Sequence, residues 1–175
     1  MRLFVAVYLP TDLQEVVWRA GDKIRGEWRR EPQEKLHITL KFLGGVPDER
    51  LGELDRVLRS IKHPTFYVEV KGVGAFPSWS NPRVLWVGAH SKGLFSLQSL
   101  VEEKVFQLGI PREWREFVPH ITLGRAKGRV DVSGFRKLEG KYFGTFQVRE
   151  FSLVKSTLTP SGSIYEVIRS YGLED

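Results

Sequence analysis

The chain has 175 residues, 41% of them hydrophobic and 27% charged, enough for one well-buried core or for two small lobes sharing one. It contains no cysteine, which excludes a disulfide framework, a thiolate zinc site and a cysteine nucleophile. A net charge of +6 suits a polyanionic partner such as nucleic acid, and no apolar run approaches the length of a membrane span.

Arg2 to Leu9 is rich in β-branched and aromatic residues and predicts a first core strand. It lacks a small-residue cleavage site, so it is not read as a secretion signal, and a cytoplasmic protein is expected. Thr11 with Gln14 fits a capping box, and Leu13, Val16, Val17, Ala20 and Ile24 trace the apolar stripe of a helix. Arg25, Arg29, Arg30 and Lys35 read as the basic end of that helix, complementing its C-terminus or guiding a polyanion. Leu36 to Leu43 predicts a second strand, closed by Gly44-Gly45. Pro47, Asp48 and Glu49 open a helix with Leu51, Leu54, Leu58 and Ile61 inward. After His63-Pro64, Phe66 to Val73 alternates as a strand.

Arg83 to Ala89 predicts another strand, followed by a helix from Lys92 to Leu108 that Gly109 and Pro111 stop. Phe117 to Arg125 predicts a strand and Val132 to Leu138 a short helix or loop. Two final strands, about Thr145 to Ser156 and Ser163 to Tyr171, flank the hairpin chemistry of Thr159-Pro160-Ser161-Gly162. Both halves share one order: strand, helix, strand carrying a histidine. No linker composition separates them. The expected fold is therefore α+β: a single domain over 1–175, made of pseudo-twofold lobes at about 1–81 and 82–175. Mostly antiparallel sheets should face a central cleft, with helices outside and room for strand exchange between lobes.

Within the repeated strand, His-Ile-Thr-Leu occurs twice, at His37 to Leu40 and at His120 to Leu123. Side chains alternate along a strand, so each copy buries two aliphatics and presents an imidazole and a hydroxyl on one face. Lobes related by a twofold would face these pairs across the cleft. Two histidines can divide the proton transfers of phosphodiester chemistry, one as acid and one as base, because their ordinary pKa lies near neutrality. Thr39 and Thr122 can donate hydrogen bonds to non-bridging phosphate oxygens. A two-histidine metal site would want a carboxylate or third histidine nearby. Neither copy has one, so neither metal nor cofactor is expected. His63 and His90 read as bystanders. Lys41 shares the parity of His37 and Thr39 and should line the cleft. Arg125 has the opposite parity and reaches the cleft only through a bulge, for which Gly124 is suited. Phe42, Trp28, Trp79, Trp114 and Tyr165 are candidates for stacking on a base, Trp79 as a rim contact.

These residues, with Arg2 to Ala6, Leu9-Pro10, Gly74 to Pro77, Pro82 to Gly88, Pro119 to Ala126, Ser156 and Tyr165, resemble the 2H phosphoesterase superfamily. The likeness is to the RNA 2′,3′-cyclic phosphodiesterases once called 2′-5′ RNA ligases, over nearly the whole chain. The resemblance implies an RNA substrate with a 2′,3′-cyclic phosphate end, tRNA fragments among the candidates, and a 2′-phosphate product. It implies His37 as proton donor, His120 as proton acceptor and Arg125 as a phosphate contact. Nucleotides are expected in the cleft, with no membrane partner, and the protein is expected to be a monomer. Competing readings are a 2′-5′ end ligation by the same histidines, a non-catalytic module that holds RNA ends, and a relative acting on small cyclic nucleotides.

Overall fold

A computed structural model describes all residues, 1–175. The strands are β1 (Arg2–Tyr8), β2 (Arg25–Arg30), β3 (His37–Gly45), β4 (Phe66–Pro77), β5 (Pro82–His90), β6 (His120–Asp131), β7 (Tyr142–Val148), β8 (Glu150–Thr159) and β9 (Gly162–Gly172). The helices are α1 (Thr11–Trp18), α2 (Leu51–Arg59), α3 (Lys92–Phe106) and α4 (Ser133–Arg136). The sheet order is β7-β4-β5-β6-β3-β1-β8-β9, with β2 beside β6, and every strand pairing is antiparallel. Between β6 and β3 the ladder narrows to a single pair, Ile38 with Ile121. The sheet there divides into one side of β3, β1, β8 and β9 and another of β7, β4, β5, β6 and β2. Strands from each half of the sequence thus enter both sides: β2 and β4 join β5 and β6, while β8 and β9 extend β1.

The duplication is visible in register. Val7 and Tyr8 of β1 face Ile38 and His37, just as Val87 and Gly88 of β5 face Ile121 and His120. Leu3, Val5 and Val7 point into the main core, as do Leu85, Val87 and Ala89. Alternation sends Phe4, Ala6 and Tyr8 to the other face, where Phe4, Ala6 and Val154 form a second small cluster against Tyr8 and Tyr165. The helices cover the main core: α1 lies on β7, and α3 on α2, β3 and β4. No helix is long and apolar enough to cross a membrane.

Several elements differ from the expected ones. Thr11 caps nothing; Pro10 is the N-cap, its carbonyl accepting from Gln14 N at 2.9 Å. The first helix ends at Trp18 and a 3-10 turn covers Arg19–Lys23. Arg25, Arg29 and Arg30 therefore belong to strand β2, not to a helix end. Trp18 accounts for the change of direction: its indole donates to Glu31 O at 2.9 Å, and the Arg30 guanidinium lies 3.4 Å above its ring. Gly26 is obligatory in β2, since its φ is +109° and a Cβ would come 2.4 Å from Arg129 O. The single strand expected over Thr145–Ser156 is two, β7 and β8, broken at Arg149.

Candidate active site

Each His-Ile-Thr-Leu copy opens its strand, and each is followed by the same irregularity. On β1–β3 the register steps from Ala6 opposite Thr39 to Val5 opposite Lys41; on β5–β6 it steps from Trp86 opposite Thr122 to Leu85 opposite Gly124. In both, one extra leucine, Leu40 or Leu123, is accommodated as a β-bulge, and the parity of the residues that follow inverts, on β3 as far as a second step at Leu43. Phe42 and Arg125, five residues after their histidines, thereby join the histidine face. Arg125 lies opposite Val84 and is exposed, and Phe42 lies opposite Phe4 and is 70% exposed. Gly124 is required at its bulge, because a Cβ would meet Arg29 O at 2.3 Å and the Trp28 ring at 2.6 Å.

The antiparallel pairing of Ile38 with Ile121 sets His37 across from Thr122 and Thr39 across from His120. The four polar side chains thus flank that rung with the histidines on one diagonal, close enough that the charge of one imidazole acts on the other. His37 Nδ1 donates to Lys35 O at 2.7 Å and His120 Nδ1 donates to Val118 O at 2.7 Å. A carbonyl can only accept, so both rings carry the proton on Nδ1 and offer Nε2 to the cleft. His37 Nε2 lies 3.1 Å from the Thr39 hydroxyl.

Aromatic rings floor both corners. His37 stacks on Phe4 at 5.1 Å and touches Tyr8 and Tyr165 at 5.6 and 5.5 Å. His120 meets Phe76 edge-on at 5.0 Å and Trp86 at 5.9 Å. Burial among these rings lowers the pKa of both histidines below 6.5; the bond to Lys35 O opposes it for His37, and the charge of His120 adds to it. For His120 the bond to Val118 O opposes burial and the Arg125 guanidinium adds to it. Burial, then the neighbouring Tyr165, pushes Tyr8 up to about 12, so it stays a neutral phenol.

The expected residues separate into two groups. His37, Thr39, His120, Thr122, Arg125, Phe42 and Tyr165 share the cleft face. Lys41 and Trp79 do not. Lys41 is buried on the opposite side, its Nζ 2.6 Å from Glu102 Oε1 and donating to Pro111 O at 2.8 Å. The bulge that brings Phe42 into the cleft turns Lys41 out of it. Trp79 packs on buried Phe135 at 6.0 Å with Arg136 over its ring, which makes it part of the α4 packing rather than the rim. Tyr8, Phe4, Phe76 and Trp86 form the walls of the site and were not anticipated; the alternation of β1 and β5 opposite the histidine strands was the available signal. Around the imidazoles stand hydroxyls, aromatic rings and an arginine, a donor set suited to a phosphate. No three His, Asp or Glu side chains converge anywhere in the chain.

The model of the LigT like Phosphoesterase family matches twice in succession, over residues 9–86 and 87–165. The chain belongs to that family. Curated relatives include proteins named RNA 2′,3′-cyclic phosphodiesterase from Methanocaldococcus jannaschii, 37% identical over 98% of this chain and 100% of that protein, and from Archaeoglobus fulgidus, 39% identical over 98% and 99%. Among solved structures, a Thermus thermophilus protein superposes with a TM-score of 0.88 at 32% identity, covering 98% of this chain and 97% of that one. Escherichia coli LigT complexed with 3′-AMP superposes with a TM-score of 0.83 at 28% identity, over 99% and 98%. For this LigT-like phosphoesterase each of the two matches contains one of the histidine strands, β3 in the first and β6 in the second.

Proposed function

We propose that the chain hydrolyses the 2′,3′-cyclic phosphate end of RNA to a 2′-phosphate, with His37 as acid and His120 as base and no metal. The observation that carries this reading is the pair of imidazoles flanking the Ile38–Ile121 rung, each holding its Nδ1 proton on a backbone carbonyl and turning Nε2 to the cleft. The naming of curated relatives as RNA 2′,3′-cyclic phosphodiesterases supports the substrate.

In the proposed reaction His120 Nε2 removes a proton from water as its oxygen attacks phosphorus. The bond from phosphorus to the ribose 3′ oxygen breaks, and that oxygen takes the proton from His37 Nε2. One water is consumed, and proton exchange with solvent resets the rings. Thr39, Thr122 and Arg125 stabilise the charge gathering on the non-bridging oxygens. The division of roles is the one the family resemblance implies: Arg125 disfavours a proton on His120, while burial and the charge of His120 disfavour one on His37.

The test is hydrolysis of a short RNA with a cyclic end in the presence of EDTA. His37→Ala and His120→Ala should each lower kcat by about 10²–10⁴. Turnover that chelation abolishes, or that either variant retains in full, would overturn the proposal.

A further inference from the structure

Past its bulge, β6 carries three exposed cations in a row before Asp131 ends the strand. Arg125, Lys127 and Arg129 are exposed, while Ala126, Gly128 and Val130 between them are half-buried, so the row continues the histidine face away from the site. Arg29 of β2 lies directly opposite Arg125. Like charges placed opposite each other destabilise a sheet. Arg19, Arg30, Arg50 and Arg59 elsewhere are relieved by carboxylates, yet Arg29, Arg125, Lys127 and Arg129 have no ion-pair partner. Glu27, whose carboxylate lies over Gly128, pairs with neither neighbour. Packing gives no reason for this concentration of charge.

We infer that Arg29, Lys127 and Arg129 form a track for the phosphodiester backbone on the 5′ side of the cyclic end. The inference rests on the function proposed above. A cyclic phosphate ends its strand, so only 5′ nucleotides lead away from the histidines. Alternate residues of a regular strand repeat about every 6.7 Å, near the repeat of an extended nucleotide chain, and β6 departs from that regularity only where Glu27 alone faces Lys127 to Arg129. The segment Arg112 to Glu116 alternates arginines with glutamates and so carries no field of one sign. The track reads charge and no bases, so it favours long substrates of any sequence.

The experiment compares wild type with K127Q/R129Q and with R29Q, after equal unfolding midpoints establish that all three are folded. Binding of a fluorescein-labelled decaribonucleotide ending in a 3′-phosphate is followed by anisotropy against salt, and hydrolysis of 2′,3′-cyclic AMP is measured alongside. Losing two contacts should flatten the log–log salt slope by about 1.4, so wild-type affinity falls about sevenfold more than that of the double variant between about 50 and 200 mM salt. R29Q should flatten the slope by about 0.7. Cyclic AMP turnover should be unchanged in both. A decamer affinity and slope equal to wild type would overturn the track alone, whereas wild type that turns over neither cyclic AMP nor a cyclic-ended decamer would overturn the catalytic reading.

Discussion

Replacing Lys41 by methionine should unfold the protein more easily while leaving the chemistry intact. The Lys41 ammonium and the Glu102 carboxylate are 5% and 10% exposed and 2.6 Å apart, and Glu102 Oε2 also accepts from Glu113 N at 2.9 Å. Lys41→Met leaves that carboxylate buried without its counterion, which costs about 3–5 kcal/mol. At about 2–4 °C per kcal/mol for a chain of this size, the melting midpoint should fall by about 6–20 °C. Lys41→Met with Glu102→Leu removes both charges, and hydrophobic replacement of a buried pair is often neutral or stabilising, so most of the loss should return. Thermal unfolding followed by circular dichroism closes this double-mutant cycle. Turnover of 2′,3′-cyclic AMP well below the midpoint is the second readout. If Lys41→Met cost less than about 1 kcal/mol and lowered kcat/KM instead, the side chain would be working in the cleft, and the bulge could not have turned it away.

Arg125→Met should raise the acidic limb of the kcat/KM profile. Burial is the first cause of the low pKa of His120 and remains, but the guanidinium's contribution is lost, so the base protonates at a higher pH; an unmoved limb would show that Arg125 does not act on the base. Thr39→Val and Thr122→Val should each lower kcat about 10²-fold, with little change in the melting midpoint, as expected for donors that act on transition-state charge; a change confined to KM would make them simple binding groups.

Much of the site could be read from the residues. The doubled His-Ile-Thr-Leu, the alternation that pairs each hydroxyl with its imidazole, and the matching order of elements in both halves are local, and the structure keeps them. What was not legible is non-local. Arg25-Gly26-Glu27-Trp28-Arg29-Arg30 has no β-branched residue, and it is a strand because β6 offers an open ladder and Trp18 ends the helix before it. Strand parity misplaces Lys41 for a related reason. Gly124 advertises the bulge on β6, but the matching bulge on β3 has no glycine, so nothing in His37 to Phe42 marks where alternation breaks. The aromatic walls depended on which strands flank the motif, and that is fixed by pairing.

The lone rung joining β3 to β6 acts as a fulcrum. Each imidazole sits one residue from it, whereas Lys127 and Arg129 sit six and eight residues out from Ile121. Any flexing of the two wings about that point moves the outer residues more than it moves the rings, so the span on which the proposed proton transfer depends is the one least exposed to it.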